Sequence, residues 1–323
     1  MLRNEVRVGR KTTSGQDLQL PKVAPYLCYS FAIVQAAVYA TAVRVSEAQG
    51  PEAAGELLLN LGFSRTEILQ QGEVWRLVTG CFVEGELLPF AVVGLGLLAV
   101  APRVEASLGY RTFASACVLS ALAAADAVIA VSGPTAAPAA AAAASTAASA
   151  AAGAESASLA AAADFLVHPA GQALAVAGPW VGLGGLGVAM GLAGCAVAHE
   201  RLNGKVERKA GGGGLLGGLA LAAGCVAAVL AAPPEMGGAP ALAGIGAAFS
   251  TGFLIASVAG PRYQVTQELE LPSGAMWVED PDKMEEFWVV LDQTTNGQRT
   301  LATNVIAVAV AIATVVVIAG APR

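Results

Sequence analysis

The sequence predicts an all-α polytopic membrane protein with seven spans, arranged as six plus one, and three observations predict it. Apolar residues make up 55% of the 323 and charged residues only 13%, a balance that cannot form one soluble core under a charged surface. Seven apolar runs, at 26–43, 82–101, 113–131, 176–198, 215–232, 241–259 and 304–319, are of the length, about 20 residues, that crosses a hydrocarbon layer of about 30 Å. The basic residues also sort by side. With the N-terminus inside, the inside segments hold Arg3, Arg7, Arg10, Lys11, Lys22, Arg103, Arg111, Arg201, Lys205, Arg208, Lys209, Arg262, Lys283 and Arg299, and the outside keeps Arg44, Arg65, Arg76 and Arg323. Lys and Arg are retained on the side of insertion. One span more or fewer would exchange the sides of everything after it, so this asymmetry supports orientation and span number together. "Inside" is the cytoplasm, or for an organelle the matrix or stroma.

Residues 1–22 are polar and run into a full-length span, which makes that span a first membrane helix and not a cleavable signal. Their basic, hydroxylated character leaves organelle targeting open. The first outside connection, 44–80, joins an amphipathic stretch at 53–61 to the pair Trp75-Arg76 and is expected to lie in the interface, where Trp anchors and Arg snorkels. Glu84 and Glu86 open the second span. Deep in the membrane they would be costly, so they are expected to mark its interfacial start, the alternative being a polar role towards a cavity or a client. Asp126 lies about one and a half turns from the outer end of the third span, within reach of the headgroups. Residues 133–163 are nearly all Ala with Ser and Thr, a low-complexity insert that is helical by propensity or a tether; it is placed outside, because a crossing there would break the basic count.

The fourth and sixth spans are dense in glycine. Gly187 and Gly191, and Ala248 and Gly252, set small residues at four-residue spacing, which lets two helix backbones approach closely in lipid. The connection 261–299 is acidic, with Glu268, Glu270, Glu279, Asp280, Asp282, Glu285, Glu286 and Asp292. Apolar alternation over 263–271 suggests a short strand. Trp277 and the Phe287-Trp288 pair suggest a surface anchored in the membrane or covered by a partner, against the plainer reading of a loop on the protein's own inner face. Residues 300–323 carry the last span.

Much of the net charge of −6 comes from that one connection, and nucleic acid is not indicated. The cysteines, Cys28, Cys81, Cys117, Cys195 and Cys225, show no paired spacing and read as small buried apolar residues; no metal site and no cofactor is expected. His168 falls in an outside connection, and His199, beside Glu200 and Arg201, reads as a boundary residue on a wet helix end. Ser250 has no base within reach and reads as a packing or back-bonding hydroxyl. A solute transporter is disfavoured, since Asp126 has no basic partner in a span and no pair of broken helices marks an inverted repeat.

Leu59-Asn-Leu-Gly-Phe63, then Gly72-Glu-Val-Trp-Arg-Leu-Val-Thr79, then a span, then Arg103-Val-Glu-Ala-Ser-Leu-Gly-Tyr-Arg-Thr-Phe113 resemble the rhomboid order of first loop, Trp-Arg motif and Glu-containing turn. Leu20-Pro-Lys-Val-Ala-Pro-Tyr26 is similar to the start of derlins. The resemblance covers 20–122, extends more loosely to the fourth and sixth spans, and leaves out the insert and everything after Arg262. It implies a rhomboid-like membrane domain at 23–260, an acidic loop on the cytoplasmic side at 261–299 and an added C-terminal transmembrane helix at 300–323.

Rhomboid proteolysis needs a serine nucleophile on the fourth span, a histidine base on the sixth and polar oxyanion donors from the second. The family register puts Leu186, Ile245, and Pro89 with Val93 at those positions, so the resemblance implies a pseudoprotease and not an enzyme. The implied function is binding of transmembrane or membrane-emerging client segments, as in derlin-like quality control and retrotranslocation at the endoplasmic reticulum. Trp75, Arg76 and the second and fifth spans would face the client, with Glu84, Glu86, Trp277 and Trp288 as further contacts. The derlin glycine-phenylalanine box that recruits a cytosolic ATPase is absent. The alternative is a structural accessory subunit of a larger complex in a mitochondrial or plastid inner membrane, held by the acidic loop and the last helix. Membrane lipid is a partner in either case.

Overall fold

The computed structural model describes residues 6–7, 24–62, 71–73, 75–84, 86–132, 183–209, 215–231, 238–270 and 285–320. The alanine-rich insert, His168 and Trp277 lie outside them. In chain order the elements are β1 (Val6–Arg7), α1 (Tyr26–Gln49), α2 (Pro51–Leu61), α3 (Arg76–Thr79) running into a 3-10 turn (Gly80–Phe82), α4 (Leu87–Ala99), α5 (Ala101–Leu108), α6 (Tyr110–Ser132), α7 (Leu183–Lys209), α8 (Leu215–Ala231), α9 (Ala239–Ala259), β2 (Tyr263–Glu270), β3 (Glu285–Asp292) and α10 (Asn296–Gly320). The protein is a mostly helical membrane protein. Helices α1, α6, α9 and α10 are long and apolar enough to cross a bilayer, α4 and α5 form a fifth crossing if their bent pair is one span, and α8 is a shorter apolar helix.

The centre of the bundle is α7, whose residues 184–196 are all buried, as expected of a helix surrounded on every side. Glycine makes its close contacts. A Cβ on Gly252 would run into the carbonyl of Gly191, and one on Gly194 into that of Phe249, so α7 and α9 touch through their backbones. Gly187 lies instead against Ala121 and Ala124 of α6, and Gly191 also against Ser120. These pairings run in opposite senses along α6 and α7. Gly244 of α9 meets Ala124 and Val128, which makes α9 antiparallel to α6 and parallel to α7. The chain therefore leaves α6 and enters α7 at the same end of the bundle.

Two expectations about single spans are corrected here. The run 82–101 is not one straight helix: an extended stretch separates the 3-10 turn from α4, and α5 bends away from α4 by 45°. Pro102, in the first turn of α5, has no N–H and its ring clashes with the carbonyl four residues back, so the helix cannot continue straight through it. Asp126 does not reach for the headgroups. It is buried, and its Oδ2 accepts a 2.7 Å hydrogen bond from the Thr314 hydroxyl, which fastens α10 to α6.

The helices are joined by a three-stranded antiparallel sheet of order β1-β3-β2, an addition to an all-α expectation. The alternation over 263–271 becomes β2, paired with β3 from Tyr263↔Asp292 to Glu270↔Glu285, while β1 adds Val6↔Asp292 and Arg7↔Leu291. Asn203 of α7 docks the sheet, donating from Nδ2 to the Pro261 carbonyl and accepting the Tyr263 N–H at Oδ1, each at 2.8 Å. His199 lies edge-on to the Tyr263 ring and within 3.2 Å of Asn203 Nδ2. It is buried, so the wet helix end expected for it is corrected: the sheet covers it. At the base of the hairpin Asp292 pairs with Arg299 of α10 and accepts the N–H groups of Arg262 and Thr294.

Candidate functional site

The Trp-Arg segment holds the end of α2. The last carbonyls of a helix have no partner within it, and Arg76 donates from Nη1 to the Leu59 carbonyl while the Thr79 hydroxyl donates to that of Leu61 at 2.6 Å. Glu73 pairs with the Arg76 Nε, and a cation at a helix C-terminus complements its dipole. Arg76 is buried, and its guanidinium lies 5.2 Å from the centre of the Trp75 ring, which is 48% exposed. Of the Trp-Arg pair, the tryptophan is the one that presents a surface to a neighbour, beside the exposed Val78. Ala54 and Leu58 of α2 close the arrangement against Ala42 of α1 and Val83.

Beyond the 3-10 turn, Val83 and Glu86 have extended backbones. Residues two apart on an extended chain point the same way, and both carboxyls point inward: Glu84 is 1% exposed and Glu86 8%. Both glutamates precede α4, at the start of the second span, but their side chains are buried in the protein and not turned to its surface. Glu84 reaches the first turn of α7, where its Oε1 occupies the space a Cβ on Gly185 would take. Its oxygens lie towards the Leu186 N–H but make no hydrogen bond of normal geometry. Gln35 sits opposite. It follows Phe31 and precedes Tyr39 at four-residue intervals on one face of α1, and those two rings stack on Phe82 and Phe90, which flank the glutamates. Gln35 is buried, and neither atom of its amide has a hydrogen-bond partner.

One residue beyond Gly185, where the resemblance would place a nucleophile, stands Leu186, 3% exposed, and Ile245, at the histidine position, is 2% exposed. Pro89 and Val93 are buried as well. The Ser250 hydroxyl is exposed and donates to the Gly246 carbonyl of its own helix. All five cysteines are buried and unbonded, and among the described residues no group of three or more His, Cys, Asp or Glu is placed to hold a metal.

The structure brings Glu84 and Glu86 together beneath the turn that follows Trp75 and Arg76, and it brings Gly191, Ala248 and Gly252 together in the α7–α9 contact. Trp288 lies on β3, apart from both. Sequence reasoning missed the role of Glu105: completely buried, it accepts the N–H groups of Leu27 at 2.8 Å and Cys28 at 2.7 Å and so caps α1. The signal was Pro25 at the start of α1, whose side chain can accept nothing. No family of known proteins, no curated protein and no solved structure matches the chain.

Proposed function

We propose that the protein is a catalytically inactive, rhomboid-like membrane scaffold that binds transmembrane or membrane-emerging segments of client proteins, in the manner of derlin-like quality control. On this reading the spans are arranged as six plus one, with the N-terminus, the sheet and the C-terminal end of α7 on the inside, in line with the basic-residue asymmetry. One observation carries the reading: the buried helix faces on which the resemblance would require hydroxyl and imidazole hold Leu186 and Ile245, packed against apolar neighbours. Such a site has no group with which to cut a peptide.

The client would meet the exposed Trp75 and the seam between α4 and α8, where Gly96 faces Leu221 and Gly224 faces Val92. A photo-crosslinking amino acid at Leu88, exposed near the start of α4, tests this in native membranes. The expected adducts are a changing population of transmembrane proteins at the endoplasmic reticulum. Release of cut substrate by the pure protein in lipid would overturn the inactive assignment.

The second reading, a structural subunit of an organelle inner-membrane complex, is favoured by the way Asp292–Arg299 and Asp126–Thr314 fix α10 and the sheet to the core. Under that reading one stoichiometric partner set survives purification in mild detergent.

A further inference from the structure

A carboxyl group buried inside a membrane protein is expensive unless it is paired, and an unpaired one marks a missing partner. Glu84 is such a group: neither oxygen is hydrogen-bonded, and it faces the first turn of α7, a 27-residue helix that leaves Gly185 without a Cβ at the contact. The positive end of the helix dipole favours a negative charge there, yet Leu186 N–H can serve one oxygen only. On the α1 face whose Phe31 and Tyr39 stack on Phe82 and Phe90, the buried Gln35 amide is also unsatisfied at both its nitrogen and its carbonyl, and the carbonyl is a second acceptor. The requirement left by this arrangement is a cationic donor.

We infer that Glu84 is the recognition point for a lysine or arginine carried within a transmembrane client segment that enters between α4 and α8. The inference rests on the client-binding reading and names the kind of client. A small inorganic cation fits less well, since hard cations take six or more oxygens and no three-ligand group is present among the described residues. A basic residue in a single-pass helix carries the same uncompensated cost as Glu84, and pairing the two relieves both. The α4–α8 seam is lined by Leu221 at Gly96 and Val92 at Gly224, and α8 is a peripheral helix with Leu216, Leu219 and Leu230 exposed.

The test uses the full chain in phosphatidylcholine vesicles with labelled helical peptides of about 20 Leu and Ala residues, identical but for one Lys or one Leu in the outer third, and reads association by energy transfer. Wild type is expected to bind the Lys peptide about tenfold tighter, the ratio one interhelical polar contact supplies in lipid, and Glu84→Gln to erase the difference. Cys225→Lys, which offers a cation from α8 while leaving Glu84 in place, is expected to erase it too and serves should Glu84→Gln fail to fold. Equal binding of both peptides by wild type would overturn the inference while leaving the client reading intact, whereas binding of neither would remove both. A Lys preference that persists in either variant would overturn it, as would Glu84-dependent binding of Na⁺ or Ca²⁺ without peptide discrimination.

Discussion

At the scale of single residues, Glu105 shows how a carboxylate can be structural in this chain. It lies 77 positions from Cys28 in sequence and still fills the cap that Pro25 cannot, with its charge set against the positive end of α1. Glu105→Ala leaves the buried Cys28 N–H and the part-buried Leu27 N–H without their acceptor, a loss of about 1–3 kcal/mol, and is expected to lower the unfolding temperature in detergent. Glu105→Gln keeps one acceptor and falls less. Identical melting of Glu105→Ala and wild type would remove the capping role. Glycine gives a paired comparison on α9. Gly252→Ala drives a methyl into the Gly191 carbonyl, whereas a Cβ at Gly246 meets nothing within 4 Å. Overpacking costs about 1–3 kcal/mol, and Gly→Ala in an open helix position gains about 1 kcal/mol. The two substitutions are therefore expected to shift the same melting curve in opposite directions.

Among the elements, α10 is the least buried of the candidate membrane spans: Leu301, Val305, Val308 and Ile312 are all exposed. Its polar tie within the membrane is Thr314 to Asp126. Thr314→Val keeps the shape and removes the hydroxyl, at a cost of about 1 kcal/mol by the measured range for such bonds in lipid. Hydrogen exchange should speed up in α10 and leave α7 unchanged; faster exchange throughout would mean that α10 is integral to the core. These elements also show how far the sequence could be read. Apolar length located the helices, and period-two alternation located β2, because both are local properties of a chain meeting lipid or a half-buried face. Asp126, His199 and Glu84 were misplaced because each is governed by a residue far away: Thr314 on α10, Tyr263 on β2 and Gly185 on α7. The bend at Pro102 depends on which residues before it are already helical, which the run 82–101 does not reveal by itself. The glycine spacing was legible as a contact. That Gly187 serves α6 while Gly191 also serves α9 depends on the azimuth of α7 in a three-helix packing, which spacing alone does not carry.

For the whole molecule, the sheet imposes a rule on topology. Since Val6 and Arg7 hydrogen-bond to Asp292 and Leu291, residues 6–7 and β3 occupy one side of the membrane, and the chain between them crosses an even number of times. The antiparallel contact of α6 with α7 sets the last residues of α6 and the first of α7 at the same end of the bundle. Between β1 and β3 lie α1, the bent α4–α5 pair, α6, α7, α8 and α9, an even set if each crosses once. The parity can be measured. In a variant lacking the native cysteines, single cysteines at Gln293 and Lys205, both exposed at the sheet end of the bundle, and at Gln49, exposed at the far end of α1, are treated with a membrane-impermeant maleimide in sealed vesicles. Gln293→Cys and Lys205→Cys are expected to label from one side and Gln49→Cys from the other. Labelling of Gln293→Cys and Gln49→Cys from the same side would mean that α1 does not cross, and the basic-residue asymmetry would then have to be assigned to a different set of spans.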